Sequence, residues 1–310
     1  TGDILDFERE FLLSDPDYIN NPAGYFSTMT AKSNAKQMSG IDMLYYRLAN
    51  GEITQEQLDA SVASMRLNDY RRQYRDRLQQ TALTQDYNLS INKGGDTYGF
   101  YAAARYQKMG LYNKYDSDDR FSLYLKNDLQ IAKWMSLTLG ADLSFMKTSY
   151  SRASGLGATA AMPYDLLYNP DGSPAYRYLY NEVLAGKIND TEGLNFMGYN
   201  AAEEAYRNKL KTDNLYMKYF LQTNFDITRD LGLEIKFQYE KRKLDANEYD
   251  EADSYMMRSL VNEFASIDSR GTITYNIPQG GRLYTVDTDY DYYNLRAQFD
   301  YKKTFGEKHD

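Results

Sequence analysis

Long stretches of this chain alternate strictly between apolar and polar residues. From Leu215 to Ile227 the odd positions are Leu215, Met217, Tyr219, Leu221, Thr223, Phe225 and Ile227. The even positions are Tyr216, Lys218, Phe220, Gln222, Asn224 and Asp226. A period of two is the side-chain period of a β-strand, so each run sends one face into apolar surroundings and the other into polar ones. The same alternation runs through Leu231–Glu240, Tyr293–Lys302, Phe121–Lys126, Leu137–Phe145, Tyr87–Asn92 and Tyr98–Tyr106. It predicts seven strands over 81–93, 97–110, 119–131, 134–148, 214–229, 231–245 and 289–305. Most strands of globular proteins have about 5–6 residues, and these are two to three times longer.

The connections alternate as well. Gly94-Gly95-Asp96, Ala132-Lys133 and Asp230 are short, whereas 111–118, 149–213 and 246–288 are long, and 1–80 precedes the first strand. Long strands with short turns at one end and long loops at the other are the pattern of an outer-membrane β-barrel. A soluble sandwich has turn signals about every 8–12 residues. No run approaches about 18 consecutive apolar residues, which excludes a membrane-spanning helix but not spanning strands. At a tilt near 40° each strand residue adds about 2.5 Å of height, so an apolar band of about 25 Å takes roughly ten residues. Tyr293 and Tyr301 stand near the two expected edges of that band. Tyr favours such edges because its ring is apolar and its hydroxyl is wet, and 32 of the 310 residues are Tyr. The fold class expected is all-β: an antiparallel transmembrane β-barrel segment of about seven long strands, with long, partly helical extracellular loops.

Composition removes several chemistries. There is no Cys, and the one His is His309. Thiolate zinc sites, cysteine nucleophiles and conventional Ser-His-Asp triads are thereby excluded or strongly disfavoured. A net charge of −8 argues against general nucleic-acid binding. No cofactor, metal or catalytic residue is expected, and no enzymatic activity. Thr1-Gly2-Asp3 shows no signal peptide, and Gly306 to Asp310 reads as a turn after a strand, so the chain is expected to be an internal piece of a longer protein.

The first 80 residues follow another period. Thr54 and Gln57 form a capping box, Ile53 staples to Leu58, and Leu58, Val62 and Met65 continue at helical spacing. A second helix is expected through Tyr70, Tyr74 and Leu78. Residues 1–50 show weak helical periodicity broken at Pro16 and Pro22, with no obvious compact core. The organisation expected is a partly helical extracellular region over 1–80 and a barrel wall over 81–310, with extracellular loops at 149–213 and 246–288.

Several motifs together resemble the SusC/RagA family of TonB-dependent outer-membrane transporters. They begin with Asn68-Asp69-Tyr70-Arg71-Arg72-Gln73-Tyr74 and the run from Thr81 to Gly95. Tyr98-Gly99-Phe100-Tyr101-Ala102-Ala103-Ala104-Arg105-Tyr106 with Gly110-Leu111-Tyr112 follows. Arg120-Phe121-Ser122-Leu123, Ala132-Lys133-Trp134-Met135-Ser136-Leu137, and Pro163-Tyr164 with Tyr168-Asn169-Pro170-Asp171-Gly172-Ser173-Pro174 complete the set. The resemblance runs from about residue 68 to 305, and the family's plug domain and TonB box lie outside this sequence. It implies seven strands of a barrel of about 22 and uptake of oligosaccharides or peptides. Its implied partners are a SusD-like surface lipoprotein, the TonB complex through the missing N-terminal part, and outer-membrane lipid. On the polar strand faces, Tyr216, Lys218, Gln222, Asn224, Glu234, Lys236, Arg296 and Gln298 are the candidate lumen-facing residues of a substrate path. The alternatives are a siderophore or cobalamin receptor barrel and a soluble β-rich carbohydrate-binding module.

Four local features carry blander readings. Gly155-Leu156-Gly157-Ala158-Thr159-Ala160 matches a dinucleotide fingerprint in letters, but Pro163 comes too soon for the required helix. Arg71, Arg72, Arg75 and Arg77, interleaved with Tyr70 and Tyr74, read as a solvated helix face paired with Asp69 and Asp76; lipid phosphate at the barrel rim is the sharper option. Asp287, Asp289 and Asp291 lack the Gly and Glu of a calcium loop and read as solvated carboxylates above the apolar band. Asp116, Asp118 and Asp119, and Asp250, Glu251 and Asp253, are placed in external loops, where paired carboxylates have no fixed separation for glycoside hydrolysis.

Overall fold

The computed structural model describes residues 1–31, 37–152 and 161–303. The fingerprint at 155–160, His309 and the terminal turn lie outside them. Seven strands form one antiparallel sheet: β1 (Leu83–Gly95), β2 (Tyr98–Gly110), β3 (Ser117–Ala132), β4 (Met135–Ser151), β5 (Asn208–Asp226), β6 (Leu231–Asp250) and β9 (Arg282–Tyr301). Each pairs with its neighbour in sequence, and β9 pairs with β6. The fold is therefore the expected antiparallel one, and no helix among the described residues is long and apolar enough to cross a membrane. Several strands extend beyond the expected limits. β5 starts at Asn208 and β9 at Arg282; the added residues of β5 are mostly polar, and those of β9 mix Leu283, Tyr284 and Val286 with polar residues.

The register keeps the two faces apart. One row of the apolar face reads Tyr87, Tyr106, Phe121, Phe145 and Leu215 across β1 to β5. Another row joins Tyr219, Tyr239 and Tyr293, whose rings stack with centroids 6.4 and 4.8 Å apart. Near the short turns Trp134 stacks on Phe225 at 6.2 Å. Opposite, on the polar face, Phe220 lies flat over Gly140. A Cβ there would sit 2.0 Å from the ring, so the missing side chain is what admits the ring.

The long connections gather at one end of the sheet and fold as a helical cap. Helices α1 (Gly2–Ser14), α2 (Pro16–Asn20), α3 (Pro22–Thr30), α4 (Gly40–Ala49) and α5 (Gln55–Met65) surround a core of Leu5, Leu12, Phe26, Ile41 and Leu58. This corrects the expectation that the region lacks a compact core. Pro16 and Pro22 begin helices rather than break one. Each is the first residue of its helix, behind Asp15 and Asn21, whose side chains accept from the backbone N–H of Asp17 and Gly24. Capping boxes start α4 at Ser39 and Asp42 and α5 at Thr54 and Gln57.

A second core joins α6 (Tyr70–Leu78) to the loop between β4 and β5, which carries α7 (Glu182–Asn189) and α8 (Ala201–Arg207). Tyr70, Tyr74 and Leu78 pack with Leu167, Tyr199 and Ala202. The two tyrosines are thus core residues and not part of a solvated basic face. Arg72 and Arg75 pair with Asp76 at 3.8 and 3.4 Å, Asp69 caps the helix, and Arg77 lies over the Tyr168 ring. The β6–β9 connection holds α9 (Tyr255–Glu263) and a hairpin of β7 (Ala265–Ile267) and β8 (Ile273–Tyr275) that the sequence reading missed.

Candidate functional site on the polar face of the sheet

The even residues of β5 and β6 share the polar face with their partners on β4 and β9. Lys218 faces Asp142 on one side and Glu240 on the other; Gln222 faces Lys236, which in turn faces Arg296. Four of the candidates, Lys218, Gln222, Lys236 and Arg296, border one open pocket of about 590 Å³. Tyr216, Asn224, Glu234 and Gln298 lie on the same face but outside its rim. They support it: Gln222 donates to Glu234 at 2.9 Å, Lys236 pairs with Glu234 at 3.0 Å, and Arg296 donates to Gln298. Asn224 donates to Ser136 Oγ at 3.3 Å, and the Arg242 guanidinium stands 5.8 Å from the Tyr216 ring centre.

Tyr124, Asp142, Phe220, Gln238 and Asn294 also line the pocket and were not among the candidates. The signal for them was present, since each has the parity of the polar face. The aromatic pair Tyr124 and Phe220, with centroids 6.4 Å apart, was hidden because aromatic residues read as apolar. The surface offers flat rings beside charges of both signs, a lining suited to a polar ligand with some apolar face.

Carboxylates at the cap end are structural. Asp116 is buried and accepts from the Ser151 N–H at 2.7 Å, and Asp118 accepts from the Tyr150 hydroxyl at 2.8 Å. Asp118 and Asp119 belong to β3, not to an external loop. Asp250, the last residue of β6, is 2% exposed and pairs with Arg152 at 3.0 Å and Arg282 at 2.6 Å. It therefore fastens the ends of β4, β6 and β9 together. Glu204 of α8 is equally buried, between Arg207 and Arg258 at 3.6 and 3.7 Å. It also accepts from Asn208 at 2.6 Å and the Tyr255 N–H at 2.9 Å. Burial nevertheless pushes its carboxyl above the ordinary range. Asp291 accepts from the Tyr239 hydroxyl at 2.6 Å and lies 3.8 Å from Lys241, so it is not merely solvated.

No family model matches the chain, and no curated protein matches it. Among solved structures it is similar to a chain of the RagAB peptide importer in its closed-closed state. The identity is 15% and the TM-score 0.55, over 90% of this chain and 31% of that one. A second match, to a chain of the RagAB peptide transporter, has 13% identity and a TM-score of 0.34, over 88% of this chain and 39% of that one. This chain thus spans about a third of the length of the chains it resembles. The first likeness is one of fold: a wall of long antiparallel strands carrying large connections at one end.

Proposed function

We propose that this chain forms part of the wall and outer cap of a TonB-dependent outer-membrane transporter that imports peptides or oligosaccharides. The observation that carries the reading is the two-faced sheet. One face is an apolar band edged by stacked tyrosines; the other is a charged and aromatic surface with a large open pocket. Only a wall between lipid and an aqueous lumen has a use for both faces at that strand length. The band faces lipid, and Lys218, Gln222, Lys236 and Arg296 face the lumen and the passing substrate. The long connections lie outside the cell.

A surface lipoprotein of the SusD kind is the proposed lid. Leu12, Tyr164 and Leu167 are buried within the cap itself, but Phe11, Leu13, Tyr176 and Tyr180 are not. The exposed set supports a docking surface, and TonB would act through a part of the protein outside this sequence. The test is uptake by cells carrying the full-length gene, with labelled peptides and oligosaccharides supplied in parallel. Lys236→Ala with Arg296→Ala should reduce import severalfold while the amount of folded barrel in the outer membrane is unchanged. Import that ignores both changes removes these residues from the path. A full-length protein that fractionates outside the outer membrane overturns the reading.

A further inference from the structure

The pocket on the polar face has a charge balance opposite to that of the chain. Among its lining residues Lys218, Lys236 and Arg296 are cations and Asp142 is the one carboxylate, in a chain of net charge −8. Lys218 is neutralised where it stands. The register seats it between Asp142 and Glu240, and its ammonium lies 3.9 Å from Glu240. Lys236 and Arg296 are not balanced in that way. They are directly opposite each other on β6 and β9, which puts their Cβ atoms about 4.5–5.5 Å apart, and like charges so placed repel. Only Glu234, 3.0 Å from Lys236, serves the pair. Arg296 is exposed, donates to the neutral side chain of Gln298 and forms no ion pair among the described residues.

A carboxylate between the two cations relieves their repulsion, and its two oxygens match the fork of the guanidinium. The rest of the pocket indicates what carries it. Two residues nearer the cap, Phe220 lies over Gly140, and the Tyr124 ring stands beside it with centres 6.4 Å apart and planes 30° apart. Together the rings offer a platform to a flat apolar face. Lys236 is the diagonal neighbour of Phe220 across β5 and β6, about 7–8 Å away. Gln238 and Asn294 continue the row of Phe220, and their amides both donate and accept. We propose that this pocket selects substrates by a carboxylate, held between Lys236 and Arg296 while the group that bears it stacks on Phe220 and Tyr124. Two sources supply such a group: an acidic sugar, and a peptide with a free C-terminus or an acidic side chain. The inference rests on the transporter reading above and names the chemical group that reading leaves open.

Equilibrium dialysis of the full-length protein in detergent tests it with two pairs of labelled probes. One pair is trigalacturonate and its methyl ester; the other is an aromatic tripeptide acid and its C-terminal amide. In at least one pair the acid should bind about tenfold tighter than its neutral twin, the worth of one charge-assisted contact. The pair that shows the preference identifies the carrier, and preference in both means that the carboxylate itself is read. Arg296→Gln should bring the favoured acid down to the affinity of its twin, and Arg296→Glu should reverse the preference. Phe220→Leu should weaken acid and twin by the same factor, since stacking on the ring does not depend on that charge. Heat-modifiable electrophoretic mobility reports folding. Should a variant at 296 fail to fold, Lys236→Gln must still reduce the preference. Acids that bind no better than their twins in both pairs, or a preference that these changes leave intact, overturn the site. A barrel inserted in the outer membrane without acid preference removes only this inference; a protein absent from that membrane removes the transporter reading beneath it.

Discussion

Residue 221 and residue 224 stand on opposite faces of β5, three positions apart, and their surroundings decide what each tolerates. Leu221 faces Leu139 and Phe237 across the ladders. In the complete barrel Leu221→Arg should cost about 2–4 kcal/mol, the range for a cation near the bilayer midplane. Asn224→Arg should cost far less. A folding titration into lipid vesicles compares them, and equal losses would contradict the facing. Gly140 makes a second residue-scale case. Gly140→Val must move the Phe220 ring and should cost about 1–3 kcal/mol by overpacking, whereas the same change beside Phe220→Ala should cost much less. A double-mutant cycle on the folded barrel reads the difference. Facing was legible in the sequence because alternation needs only the residue and its parity. Phe220 was legible as a residue of the polar face by parity, but its seat on Gly140 was not, since that contact depends on the register of two strands 80 positions apart.

The elements of the cap show where sequence reading stopped. Helix α5 was readable because Thr54, Gln57 and the apolar spacing are local signals. Its role was not, because the core it joins is assembled from distant segments: the Tyr164 hydroxyl donates to Glu8, and the Asn181 side chain donates to the Met29 carbonyl at 3.1 Å. Thr54→Ala should destabilise the cap by about 1 kcal/mol, the usual worth of an N-cap, seen as faster amide exchange in 54–58. The cap should also respond to acid. Burial raises the carboxyls of Glu8, Asp165, Glu182 and Glu204 above their ordinary values. A carboxyl raised in the folded state binds its proton more tightly there, so its contribution is full below the ordinary value and fades as pH rises through the raised one. Mild acidification from neutral toward about pH 5 should therefore increase protection of cap amides. Asp6, held low by its hydrogen bond with Arg66, titrates below this window and does not oppose the effect. Hydrogen exchange across that range, on the full-length protein, checks the direction; protection that falls instead would contradict it.

At the scale of the whole molecule, the sheet has two free edges. β1 and β9 lie at its ends, and β1 is exposed along its full length. Exposed strand edges beside an apolar face are a template for association. Residues 1–310 expressed alone in water should aggregate, and light scattering in buffer with and without detergent measures it. A monomer that melts cooperatively without detergent would contradict the prediction. The apolar band also drifts across the sheet. On β1 it is centred at Leu89, and the ladders carry Leu89 through Ala104, Leu123, Leu143, Met217 and Lys241 to Asp291. On β9 the apolar stretch from Tyr293 to Tyr301 is centred at Ala297. The centre has moved six residues over six strand-to-strand steps. One residue of about 3.3 Å per step of about 4.8 Å is a slope of about 35°, at the low end of the range for membrane barrels. In the barrel proposed above, this drift would be the tilt of the strands. At that pitch each strand takes about 5.9 Å of circumference, and about 22 strands would close a pore roughly 40 Å across.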